Sequence, residues 1–87
     1  MKFIFKNQTI IITGATRGIG QQIAKDLNEL NANLILTGTD KNQIEKLNRL
    51  NRSPRIQYKH LDFLDEDSTN KFLNYITRLD KIDVLIN

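Results

Sequence analysis

The feature that most limits what this chain can fold into is the octet Thr13-Gly14-Ala15-Thr16-Arg17-Gly18-Ile19-Gly20. A short β-branched apolar run, residues 9–12, stands before it. Residues 21–30, with apolar positions at helical spacing, follow it. The glycines therefore fall where a strand hands over to a helix. A backbone at that place turns sharply and comes close to something, and glycine, lacking a Cβ, tolerates both demands. A helix N-terminus there offers unpaired N–H groups and the positive end of a dipole, which suits a diphosphate.

The alternation begun by this turn continues to the end of the chain. Residues 9–13 read as a strand, nearly continuous in Ile, as expected where both faces are covered. Ile19, Ile23, Leu27 and Leu30 predict one apolar stripe on a helix over 18–30, widened by Ala24. A second strand is expected at 34–37. A second helix follows at 41–51, with Asp40 as its N-cap and Ile44, Leu47 and Leu50 on one side. Ser53-Pro54 ends it, because proline lacks an N–H and disfavours helix in the residue before it. A third strand is expected at 56–61. Asp65 or Asp67 then caps a third helix through about Leu79, striped by Phe72, Ile76 and Leu79 with Leu73 beside them. Residues 83–87 open a fourth strand. Phe3 and Phe5, in the lead-in, are expected to pack under the sheet.

The order β-α-β-α-β-α-β with short connections implies an α/β fold, a Rossmann-like parallel sheet with helices on both faces. Right-handed crossovers favour the strand order 3-2-1-4, with the sheet incomplete at the fourth strand. The glycine turn then lies at the topological switch point, where open α/β sheets bind ligands. The fourth strand is expected to be an exposed apolar edge, and the 87-residue chain marginally stable alone.

Composition closes off other classes. Eighty-seven residues make one small domain or a piece of a larger one, with a thin core. Thirteen Lys and Arg against ten Asp and Glu give a net charge of +3. The signs are interspersed and no basic-aromatic patch occurs, which speaks against nucleic acid. Cysteine is absent, so disulfides and thiolate metal sites are excluded. The single histidine, His60, has no partner for a metal and reads as part of the third strand. The first residues are too short an apolar run for a signal peptide, and nothing approaches the ~20 apolar residues of a membrane span. The expectation is a cytoplasmic protein without membrane contact.

The octet, Asp62 just after the third strand, and Asp83-Val84-Leu85-Ile86-Asn87 together resemble the N-terminal part of a classical short-chain dehydrogenase/reductase, most nearly the 3-oxoacyl-carrier-protein reductase type. The octet fits that family's TGxxxGxG fingerprint, and the last five residues match the start of its fourth-strand motif. The resemblance implies that residues 1–87 are the N-terminal part of an NAD(P)-binding domain. It further implies that the whole enzyme is an oxidoreductase moving hydride between NADP(H) and a carbonyl or alcohol. Gly14 would permit the tight turn, Gly18 the approach of backbone to the diphosphate, and Gly20 close packing of helix on strand. Ala15, Thr16 and Arg17 would line the pocket beside the adenosine phosphates, with Ile19 inside the same fingerprint. Asp62 would accept a hydrogen bond from the adenine amino group, the N–H of Phe63 would meet a ring nitrogen, and Asn87 would contact the adenosine ribose. Asp62 as a simple turn residue and Asn87 as a simple chain end are the plainer alternatives.

The resemblance also bears on cofactor choice. The family's discriminating acid ends the second strand, a position held here by Gly38; Asp40 comes two residues later. Thr39 resembles a cofactor contact of the reductase-type members, and Arg17 sits where a cation meets a 2′-phosphate, so NADP is expected over NAD. Catalysis in this family resembles acid–base work by a Tyr-x-x-x-Lys pair. Tyr58 is followed four residues on by Asp62 and Tyr75 by Leu79, so these 87 residues hold no catalytic residue of that kind and the chain is expected to be inactive alone. A non-catalytic or degenerate nucleotide-binding module is the alternative. Homo-oligomers are implied for a full-length relative.

Overall fold

A computed structural model describes residues 5–87. Phe3, expected under the sheet, lies outside the described residues. Seven elements alternate: β1 (Thr9–Ile12), α1 (Gly18–Glu29), β2 (Asn33–Gly38), α2 (Lys41–Leu50), β3 (Ile56–His60), α3 (Glu66–Ile76) and β4 (Val84–Ile86). The strands form one parallel sheet in the order β3-β2-β1-β4. The α/β class, the order and the helices on both faces are as the alternation of strands and helices implies.

The register explains the all-apolar β1. Ile10 pairs with Leu34 and Val84, and Ile12 with Leu36 and Ile86, on one face. That face carries Ala24 of α1 and the half-buried Ile23, Leu27, Tyr58 and Phe5. Ile11 and Ile35 point to the other face, under Leu61, Phe72, Ile76 and Leu79. The buried Ile10, Ile11 and Ile12 contribute roughly 2 kcal/mol each by removing apolar surface from water.

Two predicted stripes are shorter than their spacing suggested. Ile19 is 81 % exposed, because it stands in the first turn of α1, past the strand ends, with no sheet beneath it. Leu50 is 64 % exposed; six residues past Ile44, it lies about 120° around the helix from it. α3 ends at Ile76, three residues before the expected Leu79.

β4 is the thin edge of the sheet. Leu85 is 64 % exposed and Val84 is also at the surface. Its start is clasped to the start of β1: the Thr9 N–H donates to the Asp83 carboxylate at 2.7 Å and the Asp83 N–H to the Thr9 carbonyl at 2.9 Å. On the far edge, the Lys59 ammonium sits 4.2 Å over the ring of Tyr75, whose phenol is pushed up from its usual 10.0 by burial.

Candidate functional site

The glycine turn is built at the carboxyl end of β1. Gly14 and Gly18 have φ of +62° and +63°, in the left-handed region where a Cβ is strained. Gly20 is required by proximity instead: a Cβ there would overlap the carbonyl of Gly14. The turn is pinned to β2 by buried Thr37, whose hydroxyl accepts from the Gly14 N–H at 3.3 Å and whose carbonyl accepts from the Ala15 N–H at 2.8 Å. The Ala15 side chain is buried in the core beneath α1, and Ala15 also borders, with Thr16, an open depression between α1 and α2.

The N–H groups of Gly14 and Ala15 are taken, while the first helical turn offers those of Gly18, Ile19 and Gly20. The N-cap, Arg17, makes no side-chain capping bond, and no acid stands in the first turn of α1. The other two helices are capped. Asp40 accepts from the N–H groups of Asn42 and Gln43, and Asp65 from those of Asp67 and Ser68. α1 alone among the three has neither a side-chain cap on its N–H donors nor an acid to compensate its positive dipole end.

The other expected site residues sit on the neighbouring strand ends. Thr39 follows β2, Asp62 and Phe63 follow β3, and Asn87 follows β4. With strands ~4.8 Å apart, the row from β3 to β4 spans roughly 14 Å along the carboxyl edge. Asn87 is tied to the turn, its amide oxygen accepting from the Thr13 hydroxyl at 2.6 Å. One carboxylate oxygen of Asp62 accepts from the Leu64 N–H at 3.0 Å, so Asp62 does hold its own turn. Phe63 is largely exposed beside it.

Between the starts of α1 and α2 lies an open depression of about 500 Å³, lined by Thr16, Arg17, Thr39, Asp40 and Lys46 among others. Asp40 spends its carboxylate on the α2 cap. At Gly38 a Cβ would come within 2.6 Å of the Thr16 methyl and 3.2 Å of Ile44, so the end of β2 has no room for an acidic side chain unless Thr16 moves. The side chains facing the depression therefore include two cations, Arg17 and Lys46.

Several of these contributors carry no sequence signal of their own. The Thr37 clamp depends on β2 lying beside β1, while the crowding at Gly38 and the depression shared by Arg17 and Lys46 depend on the turn and α2 both closing on the end of β2. Among the described residues, no group of three His, Cys, Asp or Glu side chains is placed to hold a metal ion. No helix among them is long and apolar enough to cross a membrane.

Comparison with known proteins agrees with this geometry. The model of the short chain dehydrogenase family matches residues 8–87. The 3-oxoacyl-[acyl-carrier-protein] reductase FabG of Rickettsia bellii is 32 % identical over 79 residues, covering 91 % of this chain and 31 % of its own. Human retinol dehydrogenase 13 is 31 % identical over 91 residues, covering 99 % of this chain and 28 % of its own. Among solved structures, a Pseudomonas aeruginosa RhlG complex with NADP superposes with a TM-score of 0.80 at 25 % identity, over 99 % of this chain and 34 % of that one. A Brucella melitensis short-chain dehydrogenase/reductase gives 0.75 at 36 % identity, over 98 % and 37 %. The chain thus spans about a third of the length of the relatives it matches.

Proposed function

The chain belongs to the short-chain dehydrogenase family, and on that premise we propose that its glycine turn and neighbouring strand ends grip the adenosine diphosphate part of a nicotinamide dinucleotide, NADP in preference to NAD. The observation that carries this reading is the bare N-terminus of α1, reached through two glycines in left-handed conformation. Its free N–H groups and dipole end suit the diphosphate. Asp62 and the N–H of Phe63 take the adenine edge, and Thr39 lies on the ribose side. Asn87, whose amide oxygen is already occupied by Thr13, offers its N–H₂ to the adenosine ribose.

The preference for NADP rests on Gly38, Arg17 and Lys46. An acid at the end of β2 would repel a 2′-phosphate, and Gly38 leaves no side chain there. Arg17 and Lys46 supply charge for that phosphate, Arg17 in a form that binds two oxygens at once.

The bound dinucleotide would supply hydride exchange with a carbonyl or alcohol, which makes the whole protein an oxidoreductase in this reading. The part played by residues 1–87 is to bind and orient the cofactor. They contain no Tyr-x-x-x-Lys pair to exchange a proton with a substrate oxygen.

Calorimetric titration of NADP+ and NAD+ into the chain tests this. Both should bind, NADP+ more tightly, and Arg17→Ala should weaken NADP+ by about 10- to 100-fold, the loss of a charge-assisted bond, while sparing NAD+. Tighter binding of NAD+, together with an unchanged NADP+ affinity in Arg17→Ala, overturns the cofactor preference.

A further inference from the structure

His60 was expected to be an ordinary strand residue, and the structure gives it two specific partners. Its Nε2 lies 3.0 Å from the Thr39 carbonyl oxygen and its Nδ1 3.3 Å from the Ser68 hydroxyl. The Ser68 hydroxyl in turn accepts from the Asp62 N–H at 3.0 Å. A carbonyl only accepts, so Nε2 carries the proton and donates. In the neutral ring Nδ1 then accepts, and Ser68, already accepting from Asp62, donates its single proton to it. Every group is used once, in one direction: Asp62 N–H to Ser68, Ser68 O–H to His60, His60 Nε2–H to Thr39.

The ends of this chain of bonds are the point. Thr39 follows β2 on the ribose side, and Asp62 follows β3 on the adenine side. The strands are paired in register as far as Gly38 and His60, and just past that pair the Leu61 N–H donates to the Gly38 carbonyl at 3.0 Å; beyond it Thr39 and Asp62 leave the sheet. Ser68 is buried and anchored in the first turn of α3, so it is a fixed post.

We propose that His60 and Ser68 are a positioning pair that fixes the spacing of Thr39 and Asp62 for the cofactor, and that protonation of His60 loosens the grip. This rests on the dinucleotide-binding reading above. In the imidazolium both nitrogens donate, so Nδ1 no longer accepts from Ser68, and the Ser68 proton must turn to another acceptor in a buried place. The charged and titratable groups around the cavity that His60 lines are Lys41 of α2, Lys59 of β3, and Asp65, Asp67, Lys71 and Tyr75 of α3. Lys71 is paired with Asp67 at 3.1 Å, and Lys59 lies over Tyr75, so no one of them is aimed at the ring as its dedicated counter-charge.

The test is the affinity of the 87-residue chain for NADP+ and NAD+ at pH 8 and pH 5.5, for the parent, His60→Gln and Ser68→Ala. Glutamine can donate to Thr39 and accept from Ser68 but does not titrate. The parent should lose about five-fold more affinity on acidification than His60→Gln does, the equivalent of one hydrogen bond. Ser68→Ala should bind about five-fold more weakly at pH 8. The comparison with His60→Gln removes the contribution of the 2′-phosphate, which titrates near pH 6 itself. Equal acid sensitivity in parent and His60→Gln overturns the positioning pair while leaving cofactor binding intact. Absence of binding by the parent at both pH values overturns the dinucleotide reading, and the pair with it. Nitrogen-15 spectra of the parent imidazole give a readout that needs no cofactor and no variant. The Nε2–H tautomer is expected at pH 8, and a dominant Nδ1–H tautomer overturns the pair.

Discussion

Helices α1 and α2 both begin at the carboxyl edge of the sheet, side by side, and they begin in opposite ways. α2 starts on Asp40, whose carboxylate closes two of the orphan N–H groups, with Gln43 in the third helical position. α1 starts on Arg17, which caps nothing, and has Gly20 in the equivalent place. α3 follows the pattern of α2, with Asp65 as cap. A carboxylate cap adds about 1 kcal/mol, and α1 forgoes it. The difference teaches that donors closed by the chain stabilise the fold, while donors left open are available to a partner carrying its own negative charge, as the proposed function requires. Local sequence decides which: an aspartate in one case, three glycines and an arginine in the other.

The comparison can be broken most forcefully at Gly20. Gly20→Val should destabilise the chain by about 1–3 kcal/mol, read as a lower urea midpoint, because the new Cβ meets the Gly14 backbone carbonyl and neither can retreat. An unchanged midpoint would show that the turn has slack. Arg17→Asp makes α1 resemble α2. Thermal melting should show a gain of about 0.5–1 kcal/mol, while NADP+ affinity drops by about 100-fold, since a carboxylate then occupies the place of the diphosphate. A variant that loses affinity with no gain in stability would mean that α1 is not short of a cap. The reverse exchange, Asp40→Ala, should remove about 1 kcal/mol of stability and change NADP+ affinity by less than two- to three-fold. Asp65→Ala should give a similar loss of stability. Ligand states sharpen the same comparison: NADP+ at about 100 times its parent Kd should stabilise the parent by about 2.7 kcal/mol and Arg17→Asp by only about 0.4 kcal/mol, read as the shift in melting temperature. The unliganded parent should itself melt below about 60 °C, given the exposed β4 edge.

Much of this arrangement is legible in the residues. The octet marks the turn, the β-branched and helical periods mark the alternation, and handedness then allows the strand order 3-2-1-4. Asp40 and Asp65 are readable as caps because capping is local, a matter of two or three residues. What is not readable depends on distance in sequence. Ile19 looks like the first residue of a buried stripe, and only the reach of the sheet shows that it is outside. Ala15 looks like part of the turn's lining, and only the placement of α1 shows that its side chain is also core. Thr37 is one apolar-strand residue among several until Gly14 arrives, 23 positions away in sequence, to use its hydroxyl. His60 and Ser68 meet because β3 and α3 are laid together, and no period within either element encodes that contact.

The clasp between Thr9 and Asp83 has a consequence in time. It joins positions 74 residues apart, and closing a loop of that length costs about 4 kcal/mol in chain entropy. β1 is a central strand, so one of its two neighbours is supplied almost at once and the other only after Asp83 has been made. At ribosomal rates of about 5–20 residues per second, the roughly 50 residues from β2 to β4 separate those events by about 2–10 s. During that interval the N-terminal βαβ unit holds an open flank, available to a chaperone or to another nascent chain. Pulse-labelled hydrogen exchange during refolding should find the Thr13 and Asp83 amides, which bridge β1 and β4, protected after the amides that bridge β1 and β2. Simultaneous protection of the two sets would place both neighbours of β1 in a single step.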